Sequence, residues 1–435
     1  MWWFRSGKRV LAVGSVHLDT IALSSMPPTA TGDDHHVGNI THSVGGSAYN
    51  IAANLASQLA HQRAVREVAI YSILPEHSVL TEIFRYKIKA AGIDPRFVRL
   101  YREFKKKRVR GGGYVGVLDE KDRLIRTAVV DAAMHEANIF QDEVERTTLE
   151  SALARADMLA LDSDLAVATI NHIADHCRDR DKPLFISVGS TTAGMRSWIQ
   201  SHDENIATCL TARLLVACRL LQQLSLGEVE INAFRHFVET GEMNGPFDVN
   251  AICSKLKTKH LLCCNVQQSQ GFALFAAGPS PYTHFFKTPV DVRSRVQQGN
   301  SAGVMDGAMA GFIQSYAKLH ARGTIEDGAL ANAKTQKLFD TNIGDLVRHV
   351  SESEGATPGS VISFDEQEQE RSRVGKLWRL TRIAFDAVPV FRYLFSIAAL
   401  IIAAWIAEKV LAVLKYFNVE IPLPDLALIR AILRR

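Results

Sequence analysis

Short apolar runs alternate along this chain with stretches whose apolar residues recur at helical spacing. Residues 10–13 (VLAV) form a short buried-strand run that ends at Gly14, and Ile51, Leu55 and Leu59 mark one face of a helix over 48–60. A strand over 68–73 and a helix over 79–91, stopped by Gly92, repeat the alternation. Further apolar runs at 158–161, 184–188 and 260–264 are separated by helical stretches. Runs that are apolar throughout belong to strands covered on both faces. The pattern therefore predicts an α/β fold, a three-layer doubly wound and mostly parallel sheet with helices on both sides.

Two segments break the alternation. Residues 109–118 and 124–130 flank the polar turn Asp119, Glu120, Lys121, Asp122 and read as a hairpin. With the stretch around 37–44, the hairpin strands (about 109–131) predict a small separate sheet. The run Gly111, Gly112, Gly113 belongs to this hairpin, since no helix follows it to cradle a phosphate.

The main body is expected to run over residues 8–350. An acidic, polar stretch over 351–370 reads as a linker. Beyond it, Arg371, Arg373, Lys376, Arg379 and Arg382 precede the apolar residues of 388–414, which are interrupted by Arg392, Glu408 and Lys409. Residues 371–435 are therefore expected to be a C-terminal helical extension and a candidate membrane anchor, with the main body in the cytoplasm. An amphipathic helix pair that packs on a partner protein is the competing expectation.

Composition narrows the classes. A hydrophobic share of 47% against 22% charged residues is that of a packed globular protein, not of a disordered chain. Lys and Arg number 50 against 46 Asp and Glu, and a net +4 is too small to point to nucleic acid. Cysteines 177, 209, 218, 253, 263 and 264 include no C-x-x-C pair and read as small core hydrophobes. His35, His36 and His42 have no metal-like spacing to carboxylates, and no resident metal site is expected. The sequence leaves homo-oligomerisation open.

Four segments carry candidate chemistry. The first, VGSVHLD at 13–19, ends in Asp19, whose carboxylate accepts two hydrogen bonds in a fixed geometry. In GGSAYN at 45–50, Gly45 and Gly46 let backbone approach a ligand, and Asn50 both donates and accepts. The third is the hairpin end AVVDAAM at 128–134, with Asp131. The last, NSAGVMDGAMAGF at 300–312, places Gly303, Val304 and Met305 before Asp306 at the opening of a helix. Free N–H groups and the helix dipole meet negative charge there.

In this order and spacing the segments resemble the ribokinase-like (PfkB) carbohydrate kinases, and the third resembles most the lid hairpin of the pseudouridine and nucleoside kinase branch. The resemblance covers most of residues 8–345. It implies transfer of a phosphoryl group from ATP, with Mg²⁺, to a hydroxyl of a sugar or nucleoside. Asp306 would be the base, Gly303 to Met305 the anion hole, and Asp19, Gly45, Gly46, Asn50 and Asp131 the acceptor site. Gly271, the one glycine kept from the family's nucleotide strand, and Asn332 would lie near the nucleotide. The departures are specific. Met305 stands where the family has a glycine, and costs strain and crowds the anion if that glycine adopts positive φ or lets phosphate approach. The Asn-x-x-Glu tetrapeptide that organises Mg²⁺ in the family occurs nowhere in the chain, and Glu228 and Glu230 have the wrong spacing. The alternative implied is a membrane-tethered pseudokinase that binds a ligand without transferring phosphate.

Overall fold

A computed structural model describes residues 7–24, 38–57, 64–76, 78–101, 112–118, 124–130, 143–189, 193–265, 271–279, 281–287 and 302–321. The chain divides into two units, Met1–Ser363 and Phe364–Arg435, and every described residue belongs to the first.

The strands are β1 (Lys8–Val13), β2 (His17–Ser24), β3 (Gly38–Gly45), β4 (Val65–Pro75), β5 (Asp94–Tyr101), β6 (Gly112–Leu118), β7 (Leu124–Val130), β8 (Met158–Asp162), β9 (Leu184–Val188), β10 (Cys209–Arg213), β11 (His260–Cys264), β12 (Gly271–Ala276) and β13 (Tyr282–Lys287). The helices are α1 (Ser47–Ser57), α2 (Val79–Ala91), α3 (Glu143–Arg155), α4 (Val167–Asp179), α5 (Ala193–Ser201), α6 (Leu214–Gln223), α7 (Glu228–Thr240), α8 (Val249–Lys255) and α9 (Ala302–Ala321).

Nine strands form one sheet in the order β13-β12-β11-β10-β9-β8-β1-β4-β5. From β11 to β5 all neighbours are parallel, and β12 alone runs against both of its neighbours. Strand residues alternate between two cores. Leu159, Leu161, Ile186, Leu210, Ala212 and Leu261 pack under α3 to α8, whereas Val10, Ala12, Ala160, Phe185, Cys209 and Leu262 pack under α1, α2 and α9. This is the three-layer α/β fold expected from the alternation. All six cysteines are buried in it as free thiols.

The strand order reverses beside β1. The chain builds outward through β4 and β5, then returns to the other side of β1 for β8, β9, β10 and β11. In open α/β sheets the crevice for ligands lies at such a switch point, beyond the carboxyl ends of the strands.

The small sheet has the order β3-β2-β6-β7. Three of its strands match the expected hairpin and the stretch near 37–44. The fourth, β2, leaves β1 after a three-residue connection and pairs with β3 and β6 along its length. Among the described residues no helix is long and apolar enough to cross a membrane. The linker, the apolar residues of 388–414 and the rest of 322–435 lie outside the described residues.

Candidate active site

Gly14 closes β1 against two other elements. A Cβ there would lie 2.5 Å from Asp162 Cβ at the end of β8 and 2.9 Å from Ala48 Cβ in α1. Ser15 Oγ, next in the chain, donates to Asp162 Oδ2 at 3.0 Å. Asp162 is buried, and burial together with the charge of Asp164 raises its carboxyl above the ordinary range.

Asp19 stands on β2 opposite Ser43 of β3 and is only 2% exposed. Its Oδ2 has no hydrogen-bond partner among the described residues. Burial, reinforced by the charge of Asp306 and opposed by His17, pushes its carboxyl up to about 8. A buried, unsatisfied carboxyl oxygen costs free energy until a donor reaches it. A Cβ at Gly45 would overlap that same oxygen, so glycine is what leaves room for the carboxylate. Gly46 has φ +99°, and a Cβ there would overlap the Ser15 carbonyl. The Gly46 carbonyl accepts from Asn50 N–H at 2.9 Å and starts α1.

From α1, Asn50 Nδ2 donates to Asp306 Oδ2 at 3.0 Å, and from β9 Ser187 Oγ donates to Asp306 Oδ1 at 3.2 Å. Asp306 is 3% exposed. Burial lifts its carboxyl to about 6, while hydrogen bonds from Asn50, Ser187 and Ser47 and the charge of Arg213 hold it below what burial alone would give. A carboxylate poised near 6 is ionised at neutral pH and can still accept a proton.

Helix α9 begins at Ala302, so it has already opened before Gly303. Gly303, Val304 and Met305 therefore form its first turn, where N–H groups have no acceptor within the helix. Met305 corrects an expectation. It has no positive φ, and its side chain is 5% exposed in the core with Ala308 and Met309. A helical residue with negative φ needs no glycine, so the backbone strain expected at this position does not arise.

Gly271 opens β12 at the same edge of the sheet, since Phe272 pairs with Cys264 at the end of β11. A Cβ on Gly271 would overlap the Phe286 carbonyl, so packing against β13 is enough to require glycine there. Asp131 and Asn332 lie outside the described residues. Glu228 and Glu230 open α7 on the opposite face of the sheet, and Glu230 Oε2 accepts from Gly227 N–H as a cap. Among the described residues no group of three or more His, Cys, Asp or Glu is placed to hold a metal ion.

Asp19, Gly45, Gly46, Asn50 and Asp306, read from three separate motifs, are thus brought together beyond the end of β1. Asp162, Ser187 and Arg213 join them and were not singled out from the sequence. Each lies within, ends or follows a short apolar run, and only the strand register brings them to one edge.

No family model and no curated protein sequence matches the chain. Solved structures do match its fold. A ribokinase from Giardia lamblia is 13% identical with a TM-score of 0.57, over 81% of this chain and 96% of that one. A fructokinase from Xylella fastidiosa, solved with bound ATP, is 10% identical with a TM-score of 0.52, over 79% and 94%. A ribokinase from Arabidopsis thaliana, complexed with ribose and ATP, is 14% identical with a TM-score of 0.50, over 79% and 99%. The chain has the fold of these sugar kinases.

Proposed function

We propose that this protein is a phosphotransferase that moves the terminal phosphoryl group of ATP to a hydroxyl of a sugar or nucleoside. The observation that carries the reading is the hydrogen bond from Asn50 to Asp306, which joins two motifs 256 residues apart in a buried site. Asp306 takes the proton of the acceptor hydroxyl, the freed oxygen forms the new bond to phosphorus, and the bond to ADP breaks. Asp19 and Asn50 hold the acceptor's hydroxyls above Gly45 and Gly46. Free N–H groups of the first turn of α9 face the phosphoryl charge, which in this chemistry needs positioning and neutralisation more than covalent help. Among the described residues no group of three or more His, Cys, Asp or Glu is placed to hold Mg²⁺, and no step here runs through one.

A second reading, ligand binding without transfer, has in its favour the lack of any Asn-x-x-Glu in the chain. A coupled assay over a panel of pentoses, hexoses and nucleosides separates the two. Transfer by the wild type, falling about 10²–10⁴-fold in Asp306→Asn with acceptor binding retained, supports the kinase reading. A wild type that transfers to nothing and binds no ATP establishes the second.

We propose also that residues 388–414 anchor the cytosolic kinase to a membrane. The basic residues ahead of the segment support this. Extraction of the full-length protein into alkaline carbonate would rule out a spanning anchor.

A further inference from the structure

Arg213 ends β10. Its neighbours on that strand sort by the two-residue period: Leu210 and Ala212 belong to the core under α3 to α8, and Cys209 to the core under α9. Thr211 lies on the α9 side, with Oγ1 3.2 Å from Met309 Sδ. Arg213 therefore projects from the same face, one two-residue step of about 6.6 Å nearer the carboxyl end.

Helix α9 runs against the strand direction. Phe312 packs on Phe185 early in β9 with ring centroids 6.2 Å apart, whereas Asp306, further toward the helix start, meets Ser187 near the strand's end. Continuing that direction, Arg213 comes level with the first turn of α9. It is half-buried, and its charge acts on the Asp306 carboxyl. Its register partner on β11 is Cys264, a thiol that burial keeps neutral and that gives it no counter-charge. A half-buried guanidinium beside free N–H groups favours a phosphate oxygen pair, which its planar fork matches.

The fold's kinase reading implies a divalent cation, but no described cluster of ligands fits one. We propose that Arg213 fills that role: it binds the donor's phosphate chain at the start of α9 and supplies the fixed positive charge there. The inference rests on the kinase reading for the identity of the donor. The anion site itself can be tested separately.

Calorimetric titration of the full chain with pyrophosphate and with ADP, both in EDTA, is the test. The wild type binds both, Arg213→Ala weakens both about 10-fold or more, and Arg213→Lys recovers part of the loss. Arg213→Gln keeps length and hydrogen bonding but not charge, and behaves like Arg213→Ala while unchanged circular dichroism shows that the fold is intact. Binding that appears only with Mg²⁺, or that is equal in wild type and Arg213→Gln, overturns the proposal. Tighter Arg213-dependent binding of ribose 5-phosphate than of pyrophosphate overturns it too, by moving the anion to the acceptor side. Failure of the kinase reading looks different: pyrophosphate binding that depends on Arg213 with no transfer to any acceptor.

Discussion

A base that takes a proton from a hydroxyl works only when ionised, so on the proposed kinase reading the ionisation of Asp306 sets the acid limb of the reaction. With its carboxyl at about 6, kcat/KM should fall as pH drops through that value. Asn50 donates to the charged form and lowers this value; Asn50→Ala should therefore move the limb to higher pH. An unmoved limb in a pH–rate profile would separate Asp306 from the proton transfer. Single residues differ in how far the sequence revealed them. Asp306, Asn50 and Asp19 stand in glycine-marked motifs. Ser187 lies within an apolar strand run and Arg213 ends another strand, places where a polar residue is ordinary, and their meaning comes from which strand end lies beside which. Met305 misleads in the other direction, because its helical φ and buried side chain depend on where α9 begins.

At the scale of elements, the turn from β3 into α1 holds the acceptor side together. Gly46→Ala meets both a positive φ and the Ser15 carbonyl, whereas Gly92→Ala, beyond α2, has φ +71° and nothing within 4 Å. Strain alone costs about 1–3 kcal/mol. Chemical denaturation should thus rank Gly46→Ala as the more damaging change, and equal losses would mean that the Ser15 contact relaxes freely. Strands β1, β8, β9 and β11 were legible from the apolar runs that make up most of each. Strand β5 was not, since Pro95, Arg96 and Arg99 interrupt it. Those residues are tolerated at the sheet edge, where Arg96 meets Glu67 at 2.7 Å and Arg99 meets the buried Glu145 at 2.8 Å. Strand β2 was missed because HLDTIALS reads as a loop until β3 and β6 supply partners on both sides.

At the scale of the molecule, Asp19, Asp162 and Asp306 are buried within one unit, and burial raises all three. A raised carboxyl holds its proton in the folded state after the unfolded chain has lost it. Stability from these groups is therefore fully present below the ordinary carboxylate value near 3.8 and declines as pH rises toward about 8, the value of Asp19. Denaturation midpoints of the ligand-free protein should fall between pH 4 and 8, and Asp19→Asn should flatten the decline. A midpoint that is level or rises for the wild type would contradict the burial of these acids. The layered sheet was legible from the alternation of elements. The reversal of strand order beside β1 was not, because it depends on which side of β1 the chain takes after the small sheet.

Asp19 belongs to the four-stranded sheet and Asp306 to a helix on the nine-stranded one, linked by short connections at 14–16 and at 46. An acceptor whose hydroxyls reach both carboxylates is a rivet between two plates. On the proposed reading occupancy and enclosure then become one event, and the free energy of gripping the acceptor goes into aligning it. An analogue that lacks the hydroxyl facing Asp19 should consequently turn over more slowly even at saturation, because it fills the site without fastening it.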